Sequence, residues 1–220
     1  MRWIYSKDAE GFEHLMDPFL RRLAHDLRGH AGIVSSSLEQ AKEPGAPLDT
    51  LLPIAMRGAQ KLLRLSEKIA LFSEIQRQGI VLMRAPTDVG LLLADVAKKA
   101  NDSSNKKSIA FTHQSPDLPP LSLDGRLLGS ALLEIGLNTI RFAKSRAHLE
   151  VTKDGDGICF AFQDDGPGFA DDFDVEVPST SNGLGISLPI AAEIVRSHGG
   201  TLTAQTSKGG LVKIRIPKVL

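Results

Sequence analysis

Apolar residues recur at steps of three, four and seven along the first fifth of the chain. Leu20, Leu23, Leu27, Val34, Leu38 and Ala41 form that seam and predict one long amphipathic helix over residues 13–41. Glu43-Pro44-Gly45-Ala46-Pro47 breaks it. A second long helix is predicted over residues 48–78, with Leu62, Leu65, Ile69, Phe72 and Ile75 on one stripe. Two long helices joined by a short loop make an antiparallel hairpin. Such a hairpin carries more apolar surface than its two helices can cover. A homodimer through the hairpin, a four-helix bundle, is the simplest completion.

The period changes after Gly79. A helix is predicted over residues 88–101 with Asp88 as its N-cap, followed by a polar loop at 101–105. Short strand-like runs follow at 108–113, 147–152, 158–163, 201–206 and 211–216, with helical stretches at 125–142 and 186–198 between them. The order predicts an α+β chain: a helical hairpin, then a mixed sheet covered by helices on one face. The boundary falls near residues 80–86, giving segments 1–80 and 81–220.

Composition narrows the class. Lys plus Arg equals Asp plus Glu at 26 each, which argues against a dedicated nucleic-acid binder. No apolar run approaches the roughly 20 residues that span a bilayer, and the first residues lack the apolar core of a signal peptide. A protein without membrane insertion, working in the cytoplasm, is expected. The lone cysteine, Cys159, sits in an apolar run and reads as a small core side chain; it permits no disulfide framework.

Three polar motifs interrupt the second segment. Asp164-Asp165-Gly166-Pro167-Gly168 follows a predicted strand. A carboxylate there can accept the exocyclic amine of a purine, and the glycines let the backbone approach a ligand. Asn182-Gly183-Leu184-Gly185 opens a helix, whose free N–H groups suit phosphate. Glu134, Asn138 and Arg141 share one face of a helix, where oxygen ligands can hold a hard cation beside a guanidinium for phosphate. Each motif alone is weak: a common turn, an ordinary helix start and a solvated stripe. His198 reads as a helix C-terminal residue, and His14, His113 and His148 have no companion ligands at useful spacing.

Taken in this order, the motifs resemble the histidine kinase branch of the Bergerat-fold ATPases, over roughly residue 88 to the C-terminus. The resemblance implies that Asn138 binds Mg²⁺, that Asp164, Gly166 and Gly168 bind adenine, and that Gly183, Leu184 and Gly185 contact the phosphates of ATP. Leu23-Ala24-His25-Asp26-Leu27-Arg28 resembles the H box of the same family. His25 lies about 200° round the helix from Leu23 and Leu27, so it is expected to face solvent while they face the core. The implied roles are His25 as phosphoacceptor, Asp26 as the group that fixes its tautomer, and a response-regulator receiver domain as the partner that takes the phosphoryl group.

Four features depart from the family's pattern. Gly29 stands where the family often places a Thr or Asn that serves dephosphorylation of the partner. His30 replaces the usual proline, so a straighter helix is expected here. Glu134 replaces an asparagine and resembles the water-activating base of other Bergerat-fold ATPases. Between Asp154 and Val195 there are nine acidic residues and no Lys or Arg, which leaves Mg²⁺ and Arg141 or Lys144 to neutralise phosphate charge. The leading reading is therefore a cytoplasmic two-component histidine kinase that autophosphorylates His25. The alternatives are a non-catalytic histidine phosphotransfer protein, a degenerate kinase relaying phosphate between receiver domains, and a purely structural adaptor.

Overall fold

Alternation of buried and more exposed positions marks the long strands of the second segment, and a 3.6-residue period sets the helices around them. The computed structural model describes residues 9–105, 108–171, 173–176 and 185–217. Helices α1 (Ala9–Gln40) and α2 (Leu48–Gln78) form one compact unit. The second holds β1 (Ala85–Thr87), α3 (Val89–Asn105), β2 (Ala110–Gln114), β3 (Leu121–Leu123), α4 (Gly125–Phe142), β4 (Arg146–Asp154), β5 (Gly157–Asp164), α5 (Ser187–Ser197), β6 (Thr201–Thr206) and β7 (Gly210–Ile216).

In the first unit, α1 runs without a break through His30. The hairpin closes on Phe19 against Phe72, with ring centroids 6.1 Å apart, and on Leu51, Ala55, Ser37 and Ile75, all buried. Gly58 is required at its place, because a Cβ there would lie 2.8 Å from Val34 Cγ2. The predicted α1 seam is only partly the buried one. Leu20, Leu27 and Leu38 are exposed. At 100° per residue these three lie within about 20° of one another and about 100° from Phe19 and Ser37. α2 therefore covers one edge of a broad apolar arc and leaves the leucine stripe bare, together with Leu48, Leu52, Met56 and Leu63 of its own.

In the second unit, five strands form a sheet in the order β2-β4-β5-β7-β6. β2 and β4 are parallel, and the other neighbours antiparallel. Ladder partners Leu149 and Phe162, Val151 and Phe160, and Phe160 and Ile214 share the face on which the helices pack. Leu128, Leu132, Ile135, Ile140, Ile190, Ile194 and Val195 meet them from α4 and α5. Cys159 is not in this core. It alternates with buried Ile158 and Phe160, lies half-buried on the opposite face, and burial together with Asp154 pushes its thiol pKa up.

Three local features differ from expectation. α3 continues through the polar run to Asn105, because the buried Ser104 hydroxyl donates to the Asn101 carbonyl at 3.0 Å and Ile109 N–H donates to Ser104 O. β2 starts at Ala110, two residues late. β1 and β3 pair as a separate two-stranded sheet that three-residue runs beside prolines did not signal. Asp88 does cap α3, accepting the Leu91 N–H at 3.0 Å.

The start of α4 is fixed by a buried cluster. Asp124 Oδ1 accepts the Leu127 N–H at 3.0 Å and its Oδ2 accepts the Met83 N–H at 3.0 Å. Burial acts to raise the Asp124 pKa, but those two hydrogen bonds, with the charge of Arg126, outweigh it and hold the carboxyl below its usual value. His198, fully buried at the C-cap of α5, accepts the Asp124 N–H on Nε2 at 3.1 Å and donates Nδ1–H to Ile194 O at 2.8 Å. Both ring nitrogens are thus used by a neutral imidazole.

Burial pushes the His198 pKa below its ordinary 6.5, with Arg84 adding to the shift and the Ile194 bond and Asp124 opposing it. Below pH 6.5 the unfolded chain takes a proton there that the folded form refuses. The stability contributed by neutral His198 is therefore whole above that pH and falls as pH drops toward the depressed folded value. Thermal melts of wild type and His198→Ala test this. The variant is expected to be less stable near pH 7.5 by roughly 3 kcal/mol. The difference should narrow as pH falls to about 5.5; a difference independent of pH contradicts the assignment.

Candidate functional site

Strand β5 ends in two aspartates with different surroundings. Asp165 turns back onto the loop between α4 and β4. Its carboxylate accepts the N–H groups of Lys144 at 2.8 Å, Ser145 at 3.0 Å and Arg146 at 3.1 Å, and the Ser145 hydroxyl at 2.5 Å. The Ser145 hydroxyl and then these N–H groups hold its pKa far below the usual carboxylate range. Asp165 is fully engaged in closing that loop.

Asp164 is engaged at one oxygen. Its Oδ1 accepts Gly166 N–H at 2.8 Å and Gly210 N–H at 3.2 Å. Among the described residues no hydrogen bond reaches Oδ2. The glycines around it are needed for close approach. A Cβ on Gly166 would lie 2.3 Å from Phe142 O, and one on Gly210 would lie 2.5 Å from Asp164 Oδ2. Gly168 takes φ 81 and its Cβ would fall 2.6 Å from Thr206. Thr206 Oγ1 accepts Phe169 N–H at 2.9 Å and donates to Phe169 O at 3.1 Å, which pins the residue after Gly168 to the end of β6. The Phe169 ring then rests on Phe173 at 4.7 Å. Thr206, Gly209 and Gly210 were not singled out from sequence; the Gly-Gly pair ahead of a strand was the available signal.

Helix α4 links this strand end to α5. Glu134, Asn138 and Phe142 follow at steps of four on one face. Glu134 Oε2 accepts the hydroxyl of Ser187, the first residue of α5, at 2.9 Å. Phe142 O lies against Gly166 at the other end. Asn138 stands between them, half-buried, with no hydrogen bond to its side chain among the described residues. The row spans about 12 Å at 1.5 Å per residue. Arg141 projects its guanidinium over the Phe142 ring at 5.5 Å. Gly183 and Leu184 lie outside the described residues; Gly185 takes φ 70, just ahead of α5.

In the first unit, His25 is 73% exposed, on neither the buried nor the leucine stripe. Its Nδ1 lies 3.1 Å from Asp26 Oδ1, and Asp26 is in turn 3.4 Å from Arg22 Nε. An aspartate that accepts Nδ1–H leaves Nε2 with its lone pair outward. The expected solvent-facing imidazole is observed, while Leu27 beside it is exposed too.

Comparison with known proteins bears on what such a pairing serves. The model of the histidine kinase-, DNA gyrase B- and HSP90-like ATPase family matches residues 123–220. Sensor histidine kinase ZraS of Escherichia coli is 23% identical over 205 residues, covering 89% of this chain and 44% of that protein. Alginate biosynthesis sensor protein KinB of Pseudomonas aeruginosa is 23% identical over 218 residues, 92% of this chain and 36% of that protein. The chain thus spans less than half the length of these relatives. Histidine kinase AdeS of Acinetobacter baumannii superimposes with a TM-score of 0.70 at 21% identity, covering 89% of this chain and 98% of that one. Full-length ShkA, solved with AMPPNP, gives 0.66 at 24% identity over 92% of this chain and 46% of that one.

Residues 123–220 carry the ATPase domain that this family model describes, and the chain is similar to sensor histidine kinases over most of its length.

The ATPase match covers β3, α4, both aspartates and the Gly209–Gly210 turn. Among the described residues no group of three His, Cys, Asp or Glu could hold a metal by itself. Any cation on the α4 face therefore takes part of its shell from elsewhere, as Mg²⁺ does from phosphates and water. No helix among the described residues is long and apolar enough to cross a membrane.

The two aspartates should separate cleanly on substitution. Asp164→Ala is expected to weaken adenosine binding at least about tenfold while lowering the melting temperature little. Asp165→Ala is expected to do the reverse. Calorimetric titration with adenosine beside a thermal melt decides it, and equal loss of affinity in both variants contradicts the division.

Proposed function

We propose that this chain is the kinase core of a two-component system, with ATP and Mg²⁺ bound in the second unit and His25 of the hairpin as phosphoacceptor. Residues 1–80 are the dimerisation and phosphoacceptor segment and residues 81–220 the catalytic segment. The observation that carries this reading is the row on α4: the Asp164 carboxylate edge and Gly166 at one end, the head of α5 at the other, and Asn138 between. Asp164 Oδ2 offers an acceptor to the amine of adenine. Asn138 offers an amide oxygen of the kind a hard cation takes, and its side chain has no competing partner among the described residues. Mg²⁺ would hold the phosphates and offset their charge. Gly166, Gly168, Gly183, Leu184 and Gly185 supply backbone to adenine and phosphates, and Arg141 a guanidinium for the phosphate end.

The transfer then needs little from the protein beyond position and charge. Asp26 accepts Nδ1–H of His25, so Nε2 is the nucleophile. Nε2 forms a bond to the γ-phosphorus as the bond to the β–γ bridging oxygen breaks, and ADP leaves with that electron pair. Asp26 stabilises the positive charge that develops on the imidazole. An aspartate on a response-regulator receiver domain takes the phosphoryl group in the next step. Glu134 offers a carboxylate beside the same face, so a share of turnover can go to water. A phosphate relay without nucleotide chemistry has no use for the backbone packed around Asp164.

The bare stripe of Leu20, Leu27 and Leu38, continued by Leu48, Leu52, Met56 and Leu63, supports a homodimer through the hairpin. We place the protein in the cytoplasm, where ATP and receiver domains are found and a lone free thiol is at home.

Incubation with γ-labelled ATP and Mg²⁺ is expected to label wild type with an acid-labile phosphate. His25→Gln should abolish the label and leave ATP affinity within about twofold; label retained in that variant sinks the phosphoacceptor assignment. Light scattering tests the dimer. Leu27→Lys combined with Leu38→Lys should give monomers, because two charges would be desolvated in an apolar seam. A dimer that survives this double change lies elsewhere on the surface.

A further inference from the structure

The contact between His25 and Asp26 is not one that a helix supplies by itself. Consecutive residues point about 100° apart on a helix and do not face each other. Asp26 has to bend sideways to bring its Oδ1 within 3.1 Å of His25 Nδ1. A carboxylate on an open surface has other staggered positions that aim it at water. Arg22 stands one turn back on the same strip as Asp26. Helical side chains lean toward the N-terminus, so the Asp26 carboxylate leans toward Arg22. Arg22 Nε lies 3.4 Å from the same Oδ1 that meets His25. That Nε is shut off from solvent, and among the described residues no hydrogen-bond partner reaches it. A buried donor of this kind calls for an acceptor, and the Asp26 oxygen is the one beside it. Hydrogen bonds at reacting groups are often long at rest and tighten in the reacting complex. Arg28, three residues after His25, is engaged elsewhere, with its Nε donating to Ala24 O at 3.2 Å.

Building on the phosphoacceptor reading above, we infer that Arg22 is a positioning residue for the phosphoryl transfer: it holds Asp26 on His25 Nδ1 and so keeps Nε2 free of a proton. A neutral imidazole carries one ring proton, and the partner of one nitrogen decides which of the two keeps its lone pair. Left to itself the proton favours Nε2, which blocks the attacking atom. With Asp26 held in place the proton stays on Nδ1. Nε2 then forms the bond to the γ-phosphorus, and ADP leaves with the electron pair of the broken bond. The Nδ1 proton remains on the imidazole, hydrogen-bonded to Asp26, throughout the step. Arg22 acts through Asp26 and not on the nucleotide. The Arg22 and Asp26 side chains are 37% and 22% exposed, and an ion pair that open adds little to stability. Its effect therefore falls on the tautomer of His25 rather than on the fold.

Nitrogen NMR of His25 in the full chain, beside the rate of its labelling by ATP and Mg²⁺, tests this. The neutral imidazole of wild type is expected to carry its proton mainly on Nδ1. In Arg22→Met, which keeps the apolar stem and removes the guanidinium, the proton should move mainly to Nε2. The same change should lower kcat for labelling about tenfold and leave KM for ATP within about twofold. Asp26→Ala should cost about 100-fold, and Arg22→Met added to it should cost no more than about twofold further. Arg22→Met should melt within about 2 °C of wild type. An Nδ1 proton and a labelling rate both retained in Arg22→Met, with the label on His25, overturn this inference and leave the phosphoacceptor standing. A tenfold loss repeated in the double variant shows Arg22 acting independently of Asp26 and overturns it as well. Label mapped to a residue other than His25 removes the phosphoacceptor reading, and this inference with it.

Discussion

His198 accepts the backbone N–H of Asp124 in the core of the second unit, and the placement of α4 follows from that bond. The Asp124 carboxylate then caps the helix and takes the Met83 N–H of the incoming chain. At the other end Phe142 O lies against Gly166, and Asp165 closes the loop that follows. A helix fixed at both ends presents the same face wherever it is read, so Glu134 and Asn138 stand in a constant relation to the end of β5. Precise placement of this kind is what phosphoryl transfer needs, since the chemistry asks for position more than for reactive groups.

The consecutive aspartates show how one turn divides its labour. Asp165 is satisfied by four donors of its own loop, which stabilises the ionised carboxyl there and leaves it nothing to offer. Asp164 is held at one oxygen by two glycine N–H groups and keeps the other edge. The acidic run that follows is tied down at both described ends: Thr206 grips Phe169, and Arg196 joins Glu176 to Glu193 on α5. Arg196 is thereby occupied by two carboxylates.

The hairpin poses a different problem. α2 covers the edge of α1 marked by Phe19 and Ser37, and the leucine stripe beside it stays bare. The same geometry turns His25 about 140° from that stripe, so an interface built there would leave the imidazole reachable. Apolar surplus and an exposed histidine on one helix are thus compatible because they occupy different sectors of its circumference.

Periodicity alone located α2, α4 and β6 to the residue, since each is long or strictly alternating and ends at a glycine, proline or polar break. It also placed His25 on a solvent face. It misjudged the end of α3, where Ser104 makes a helix of a polar run, and it overlooked β1 and β3, which are too short to carry a period. The motifs Asp164-Asp165-Gly166 and Glu134 to Arg141 were visible, but not which aspartate would be used up by its own loop. Nor could sequence show that Gly210 and Thr206 close on Asp164 and Phe169 from 37 to 46 residues away. Local pattern therefore determined the elements and the candidate chemistry, because helix and strand periods are properties of neighbouring residues. Tertiary structure alone decided which leucines lie bare, which carboxylate keeps an open edge and which hydroxyl holds Glu134, because each depends on contacts between segments distant in the chain.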